Sequence, residues 1–131
     1  MANQITTNLG KEKIAKAHYD GSVVPKIVQV GWGNAGVDGG GNVIQPSPTQ
    51  TIVPGEFIRK DVDSVVHPVE LDPTKTKFVI SLEASEPGVL GEAVSSCGLY
   101  DQAGTLVALR NFAAIVMEPE RKIDINWLTE Y

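Results

Sequence analysis

The segment most suggestive of chemistry is a glycine-rich stretch, Gly31-Trp32-Gly33-Asn34-Ala35-Gly36, which follows a run of β-branched residues. A G-x-G-x-x-G turn after a strand can bring backbone amides against a pyrophosphate, provided that a helix begins there. Residues 39–41 are three consecutive glycines, and each glycine costs about 1 kcal/mol relative to alanine in a helix interior. The sequence therefore predicts no dinucleotide site and no cofactor.

Nucleophiles, bases and metal ligands are few and widely spaced. The two histidines, His18 and His67, have no metal-ligand spacing to each other or to the single cysteine, Cys97. A hydrolase could recruit Ser64, His67 and Asp63, or could set Cys97 against His18, but nothing in the local sequence supports either arrangement. We expect solvated histidine and a buried thiol, and we predict no catalytic and no metal-binding residue.

The acidic residues give no clearer signal. No D-x-D-x-D-G pattern with a distal glutamate is present, so the sequence specifies no calcium loop. Paired-acid glycosidase chemistry stays open, since two carboxylates can meet from anywhere in a fold, but an extended glycan cleft is hard to build in a domain this small. The loop carboxylates are Asp38, Asp61, Asp63, Asp72 and Asp101.

Two tryptophans could serve either binding or packing. Trp127 shares its alternation with Ile123 and Ile125, which predicts a place in the core. Trp32 stands among glycines that give it no side-chain cover, so it either closes over the core or anchors in a partner's pocket. The sequence alone leaves both interpretations of Trp32 open.

Size and charge limit the class of protein. The chain has 131 residues, 42% of them hydrophobic, and a formal net charge of -5 at pH 7, which fits one domain over residues 1–131. The sequence pI near 4.9 means that the chain is negatively charged at neutral pH and would repel phosphates, so we expect no nucleic-acid partner. No stretch approaches the roughly 18 apolar residues of a membrane span, and no export signal is visible, so we expect neither membrane insertion nor export. The single cysteine is consistent with a reducing cytoplasm.

The first part of the chain predicts a helix, a strand and a long loop. Residues 6–20 combine helix-forming residues with a capping candidate at Thr7 or Asn8 and a stop at Gly21. Residues 26–30 alternate as a half-buried strand. Residues 31–55 contain seven glycines and three prolines, which indicates a loop that binds something or is ordered by a partner.

The second half is rich in strands. Residues 77–82 and 123–131 alternate with one apolar face each, and residues 98–109 predict a strand, a tight turn with Gly104 at positive φ, and a strand. One helix and roughly five to seven strands predict a mainly β fold, either an antiparallel sheet or a β-sandwich, with the N-terminal α-helix on an edge or face. An α+β fold is the alternative.

One motif and several flanking segments follow a known pattern. Gly98-Leu99-Tyr100-Asp101, followed by Gly104, fits G-L-[YF]-D-x-x-G-x-L-[VI]-A over residues 98–108. This motif resembles the phage tail-collar fibre family, the tail-attached N-terminal domain of many bacteriophage tail fibres. Further segments that fit the family are residues 7–10, 14–17, 30–33, 53–60, 111–112 and 123–127.

This resemblance implies a structural role in a phage or prophage tail, in which the domain attaches or organises a tail fibre at the baseplate or collar. It implies that the partners are other phage tail or baseplate proteins, and that the domain forms a homo-oligomer, with a trimer favoured by the usual symmetry of fibres. It does not imply any catalysis. Family fibres usually continue into a long shaft and tip, whereas this chain stops at Tyr131. We therefore expect this chain to correspond to the attachment domain alone.

The predicted contact region is the glycine-rich loop around Trp32, together with Gly31 and Gly33. The competing hypothesis is a soluble ligand-binding or carbohydrate-binding module, for example one in which Trp32 stacks on a sugar ring.

Overall fold

Two antiparallel sheets and one helix make up the part of the chain that the computed structural model describes, residues 4–21, 25–66 and 75–130. The elements in chain order are β1 (Gln4–Thr6), α1 (Asn8–Asp20), β2 (Ile27–Gly33), β3 (Glu56–Asp61), β4 (Ser64–Val66), β5 (Lys75–Glu83), β6 (Ala93–Asp101), β7 (Leu106–Val116) and β8 (Lys122–Glu130). The five-stranded sheet has the order β1-β7-β6-β2-β3, and the three-stranded sheet has the order β4-β5-β8. This architecture confirms the prediction of a mainly β fold with one N-terminal helix.

Helix α1 begins and ends where its capping residues require. The Thr7 hydroxyl accepts a hydrogen bond from the Gly10 amide at 3.1 Å, so Thr7 is the N-cap. Gly21, at φ 73°, ends the helix in the left-handed conformation that glycine adopts at little cost. The helix lies against β7, where a Cβ at Gly10 would stand 2.9 Å from the Val107 carbonyl oxygen.

Strand β2 is longer than the sequence predicted, and the loop is correspondingly shorter. Gly31, Trp32 and Gly33 belong to β2 and pair with β3 on one side and β6 on the other. The prediction that the loop begins at residue 31 is therefore wrong for these three residues. Glycine is required in this part of the strand because neighbouring side chains approach its backbone closely: a Cβ on Gly31 would stand 2.8 Å from a ring carbon of Tyr100.

Residues 34–55 form the long loop, and much of it lies on the chain's own five-stranded sheet. The Gly36 amide donates to the Ser95 hydroxyl at 2.8 Å, and the Asn111 side-chain amide donates to the Ile44 carbonyl at 2.8 Å. An isolated bridge joins Val37 and Val43 around an exposed turn. The sheet itself therefore supplies hydrogen bonds that hold this loop in place.

Strands β6 and β7 form the hairpin predicted from the sequence, with Gly104 at φ 79° in its turn. The long strands β5 and β8 likewise match the two alternating segments as far as residue 130, and they pair in register from Lys75 with Glu130 to Glu83 with Lys122. Tyr131, at the end of the second segment, lies outside the described residues. Trp127 is buried, which confirms its predicted place in the core.

One buried cluster contains side chains of both sheets. The five-stranded sheet contributes Val30, Trp32, Val94, Cys97, Leu99 and Ala108. The three-stranded sheet contributes Phe78, Ile80, Leu82, Ile123 and Trp127. A second, smaller cluster, of Val53, Tyr100, Leu106 and Leu109, lies beneath the long loop and the N-terminal strand.

Candidate functional site

The family-like motif lies at the end of β6, and its first two residues serve packing. Gly98 leaves room for two neighbours, because a Cβ there would stand 2.6 Å from a Leu106 methyl carbon and 2.7 Å from a Val53 methyl carbon. Leu99 points to the opposite face and is fully buried in the cluster shared by the two sheets. A larger residue at position 98 would push the loop that carries Val53 away from the sheet.

Tyr100 ties the long loop to the hairpin. Its ring is buried, and its hydroxyl oxygen accepts a hydrogen bond from the Val53 amide at 3.1 Å. The Arg59 guanidinium lies 3.6 Å from the centroid of the ring. Burial raises the pKa of the Tyr100 hydroxyl above its ordinary value, so the group stays neutral and acts as a fixed hydrogen-bond partner.

Arg59 and Glu56 form an ion pair, with the Arg59 guanidinium above the Tyr100 ring. Two guanidinium nitrogens of Arg59 donate to the two Glu56 carboxylate oxygens, at 3.0 Å and 2.9 Å. This bidentate hydrogen bonding raises the pKa of Arg59 further above its usual range. The guanidinium of this pair covers one face of the Tyr100 ring.

Asp101 organises the turn and holds the helix. One carboxylate oxygen accepts hydrogen bonds from the Ala103 and Thr105 amides, both at 2.9 Å. The other accepts from the Lys13 ammonium at 2.7 Å, and Lys13 also donates to the Thr105 hydroxyl at 2.8 Å. The Asp101 side chain is completely buried, whereas that of Lys13 is about one third exposed.

The electrostatics of Asp101 favour a fixed negative charge. Burial on its own raises the pKa of this carboxyl, but the hydrogen bonds from Lys13, Thr105 and Ala103 outweigh burial, so the pKa lies below its usual value. A carboxylate with every oxygen engaged and a lowered pKa is poorly suited to general acid or base work near neutral pH. Its geometry serves to anchor helix α1 to the β6–β7 turn.

The motif residues therefore meet in one place, together with residues that sequence reasoning missed. Gly98, Leu99, Tyr100, Asp101 and Gly104 were predicted from the family pattern, and all belong to one hairpin end. The partners that sequence reasoning did not assign to this site are Lys13, Val53, Glu56 and Arg59. The last three lie in residues 53–60, one of the segments that fit the family. One signal pointed to Lys13: the helical repeat puts this lysine on the inward face of the helix, between Gly10 and Ala17.

The predicted contact residues lie inside the sheet. Trp32 is fully buried in the shared cluster, opposite Cys97 on β6. Gly31 and Gly33 are buried too, whereas the following Asn34 and Ala35 are exposed. An indole with no surface cannot stack on a sugar ring, so the burial favours the interpretation in which Trp32 closes over the core.

The other candidates for chemistry are dispersed. Cys97 is a free, fully buried cysteine, and burial raises the pKa of its thiol to about 12. His18 is exposed on α1, and the Asp63 carboxylate accepts a hydrogen bond from the Ser81 hydroxyl at 2.5 Å. His67 and Asp72 lie outside the described residues. Within the described ranges, no group of three or more histidine, cysteine or acidic residues could hold a metal ion.

A surface cavity of about 520 Å³ lies away from the motif. Apolar and charged side chains of both signs line it, and no aromatic ring is among them, so it offers no stacking platform for a sugar. Its lining consists of Glu83, Ala84, Ser85, Leu90, Pro119, Glu120, Arg121 and Lys122. None of the predicted site residues belongs to it.

Comparison with known proteins agrees with the motif. The family model of the phage tail-collar fibre protein, N-terminal, matches residues 1–120. Neither a curated protein nor a solved structure shows a significant match to the chain. In the described ranges, no helix is long and apolar enough to span a membrane.

The match covers nearly the whole sequence and includes the hairpin motif, the helix that the motif anchors and the loop that it holds. The family carries a structural role in phage tail fibres, as a component of the virion tail. This chain belongs to the phage tail-collar fibre family, whose N-terminal region it matches.

Proposed function

We propose that this domain attaches or organises a tail fibre at the baseplate or collar of a phage or prophage tail. The family match over residues 1–120 carries the proposal. The domain acts as a homo-oligomer, with a trimer favoured because fibres usually have three-fold symmetry. Its partners are other tail or baseplate proteins, it is made in the cytoplasm of the bacterial host, and no catalytic step is part of its role.

The contacts that the motif residues make support a structural role for the motif rather than a reactive site. Asp101 joins the hairpin to Lys13 of helix α1, and Tyr100 joins it to Val53 of the long loop. Both ties connect segments that are far apart in the sequence, so they hold the helix and the loop on the sheet. A part that passes force between a tail and a fibre requires such ties.

We assign the contact with tail partners to the exposed portion of the 34–55 loop. This keeps the predicted region beside Trp32 but moves the contact from the buried indole to the loop surface. Ile44 and Ile52 are 44% and 54% exposed there, so the loop surface offers two aliphatic side chains to a partner. Contacts with a partner would remove both side chains from water.

Tail particles of the encoding phage or prophage, assembled without this protein, provide the test. The purified chain is mixed with them and sedimented, and immunogold labelling locates the bound chain. We expect co-sedimentation with label at the baseplate or collar. A chain that stays in the supernatant, or label along the tail tube, would contradict the attachment role.

A matched pair of variants tests the loop contact in the same assay. Ile52→Asp puts a charge on the proposed surface, and we expect it to weaken co-sedimentation. Leu90→Asp introduces the same charge at a position that is 61% exposed and lines the surface cavity with Glu83 and Lys122, where no loop residue is found, and we expect it to bind like the unmodified chain. Equal binding by both variants would show that the loop is not the contact.

A further inference from the structure

Helix α1 carries an exposed stripe that no part of the chain covers among the described residues. Leu9, Glu12, Lys16 and Tyr19 are all exposed, and they recur at spacings of three, four and three. This spacing puts them along one side of a helix. The buried Gly10, against β7, marks a different side, so the stripe faces away from the sheet and is accessible to another molecule.

The two ends of the stripe are apolar. Tyr19 is 91% exposed, the highest value among the exposed large hydrophobic side chains of the described residues, and Leu9 is 40% exposed. They are ten positions apart, which corresponds to about 15 Å along the helix axis. Tyrosine is enriched in interfaces because its ring buries a large area at a small cost in side-chain entropy.

The centre of the stripe is charged, with one residue of each sign. Glu12 and Lys16 are both exposed, and no ion pair joins them within the part of the chain that the structure describes. The order along the stripe is thus apolar, negative, positive, apolar from one end to the other. Turned end for end, it becomes apolar, positive, negative, apolar.

This order makes the stripe complementary to a reversed copy of itself. In an antiparallel pair of α1 helices, Leu9 of each copy lies opposite Tyr19 of the other, and Glu12 of each lies opposite Lys16 of the other. A parallel pair would instead set glutamate against glutamate and lysine against lysine, which is unfavourable. The self-complementarity requires a two-fold axis, because a two-fold interface uses the same patch on both copies.

We propose that the stripe of Leu9, Glu12, Lys16 and Tyr19 is a self-association surface, on which α1 of a second copy packs antiparallel about a two-fold axis. The inference rests on the proposed function for its biological setting, and it adds a two-fold contact to the trimer favoured there. A two-fold contact combined with a three-fold axis produces hexamers, and by itself it produces dimers. The predicted assemblies therefore contain an even number of chains.

The test exchanges charges across the proposed contact. Glu12→Lys gives a stripe with two lysines, and Lys16→Glu gives a stripe with two glutamates. We expect each variant alone to raise the dissociation constant of the two-fold contact about tenfold, because two attractive pairs become repulsive. Both the double variant Glu12→Lys/Lys16→Glu and an equimolar mixture of the two single variants restore opposite charges at every pair, and we expect association to return.

Lys11 supplies the control, since it is exposed on the same helix but lies off the stripe. Lys11→Glu changes the net charge as much as Lys16→Glu does, and we expect it to associate like the unmodified chain. A mixture of Lys11→Glu and Glu12→Lys also combines a more negative protein with a more positive one, but in their mixed pair one contact of the stripe still sets lysine against lysine. We therefore expect no more association in this mixture than the Lys11→Glu variant forms alone. Circular dichroism confirms that each variant keeps its helix and sheets.

Sedimentation equilibrium over a concentration series is the measurement. Dimers or hexamers that respond to the charge exchange as described support the proposal. A monomer at every concentration, a trimer only, or an even-numbered assembly indifferent to Glu12→Lys and Lys16→Glu would overturn it. Binding of the chain to tail particles is measured separately, so a failed stripe leaves the attachment role standing, and failed attachment leaves the self-association result intact.

Discussion

At the scale of single residues, Asp101 determines how the hairpin holds the helix. The substitution Asp101→Asn keeps the shape of the side chain but removes the charge that Lys13 and the turn amides bind. Hydrogen bonds to charged groups contribute more than neutral ones, so we expect the free energy of unfolding to fall by about 2 kcal/mol. Urea unfolding at pH 7 measures the loss.

A second aspartate provides the comparison. Asp38 also accepts two backbone amides, those of Gly40 and Asn42, but its turn is exposed to solvent. Water replaces lost hydrogen bonds at an exposed site, so Asp38→Asn should shift the urea midpoint much less than Asp101→Asn. Equal shifts in the two variants would mean that burial and the bond to Lys13 add nothing to Asp101.

The pH dependence of stability follows from the same carboxylate. The pKa of Asp101 is lowered in the folded state, so ionisation favours the fold, and this contribution is complete above the unfolded-state pKa of about 4. It is lost as the pH falls through the lower, folded-state pKa. We expect the difference in urea midpoint between the unmodified chain and Asp101→Asn to be constant from pH 7 to about 5 and to shrink below about pH 4. A difference that grows in acid would contradict the lowered pKa.

Gly31 is required by the groups packed over β2. A methyl group there would meet the Tyr100 ring and the Glu56 carboxylate, so we expect Gly31→Ala to lower the free energy of unfolding by about 1–3 kcal/mol. Gly39 has open space around it, and Gly39→Ala should leave stability unchanged or slightly raised. Thermal unfolding of the two variants compares them directly, and a neutral Gly31→Ala would show that Tyr100 and Glu56 yield easily.

At the scale of elements, the N-terminus of α1 depends on one hydroxyl. Thr7 is fully buried, accepts from the Gly10 amide and donates to the Leu106 carbonyl at 2.5 Å, so it both caps the helix and fixes it to β7. We expect Thr7→Ala to lower the free energy of unfolding by about 1–2 kcal/mol and to speed amide exchange in the first turn of α1. Thr7→Ser keeps the hydroxyl and should recover most of the loss. A serine variant as unstable as the alanine variant would assign the effect to the methyl group instead.

The elements also show what a sequence can and cannot predict. The β6–β7 turn was predicted because its determinants are local: Gly104 adopts the positive φ that the turn requires, within three residues of Asp101. The end of β2 was missed because its determinants are distant. Gly31 and Gly33 look like loop residues until Tyr100, Glu56 and Val53 are known to lie against them. The candidate site divides in the same way, since the motif is contiguous but Lys13 reaches it from 88 positions away.

At the scale of the whole molecule, the two sheets share one core, so we expect them to unfold together. Cys97 and Trp32 belong to the five-stranded sheet, and Trp127 belongs to the three-stranded sheet. In Trp32→Phe, the remaining tryptophan reports the three-stranded sheet, whereas labelling of the buried Cys97 thiol reports the other. Because both side chains lie in one cluster, the two probes should give the same urea midpoint.

The variant Trp127→Phe is the matched control, because its two probes, Trp32 and Cys97, then lie in the same sheet on paired strands. Coincident midpoints in this control establish that fluorescence and thiol labelling report unfolding equally well. Suppose that the two midpoints coincide in Trp127→Phe, but that in Trp32→Phe the Trp127 emission changes at a lower urea concentration than the one at which Cys97 becomes reactive. The three-stranded sheet then unfolds first. The shared cluster would then be a contact between two separately stable sheets, and a force applied to a fibre attached to one of them would not reach the other through a single cooperative unit.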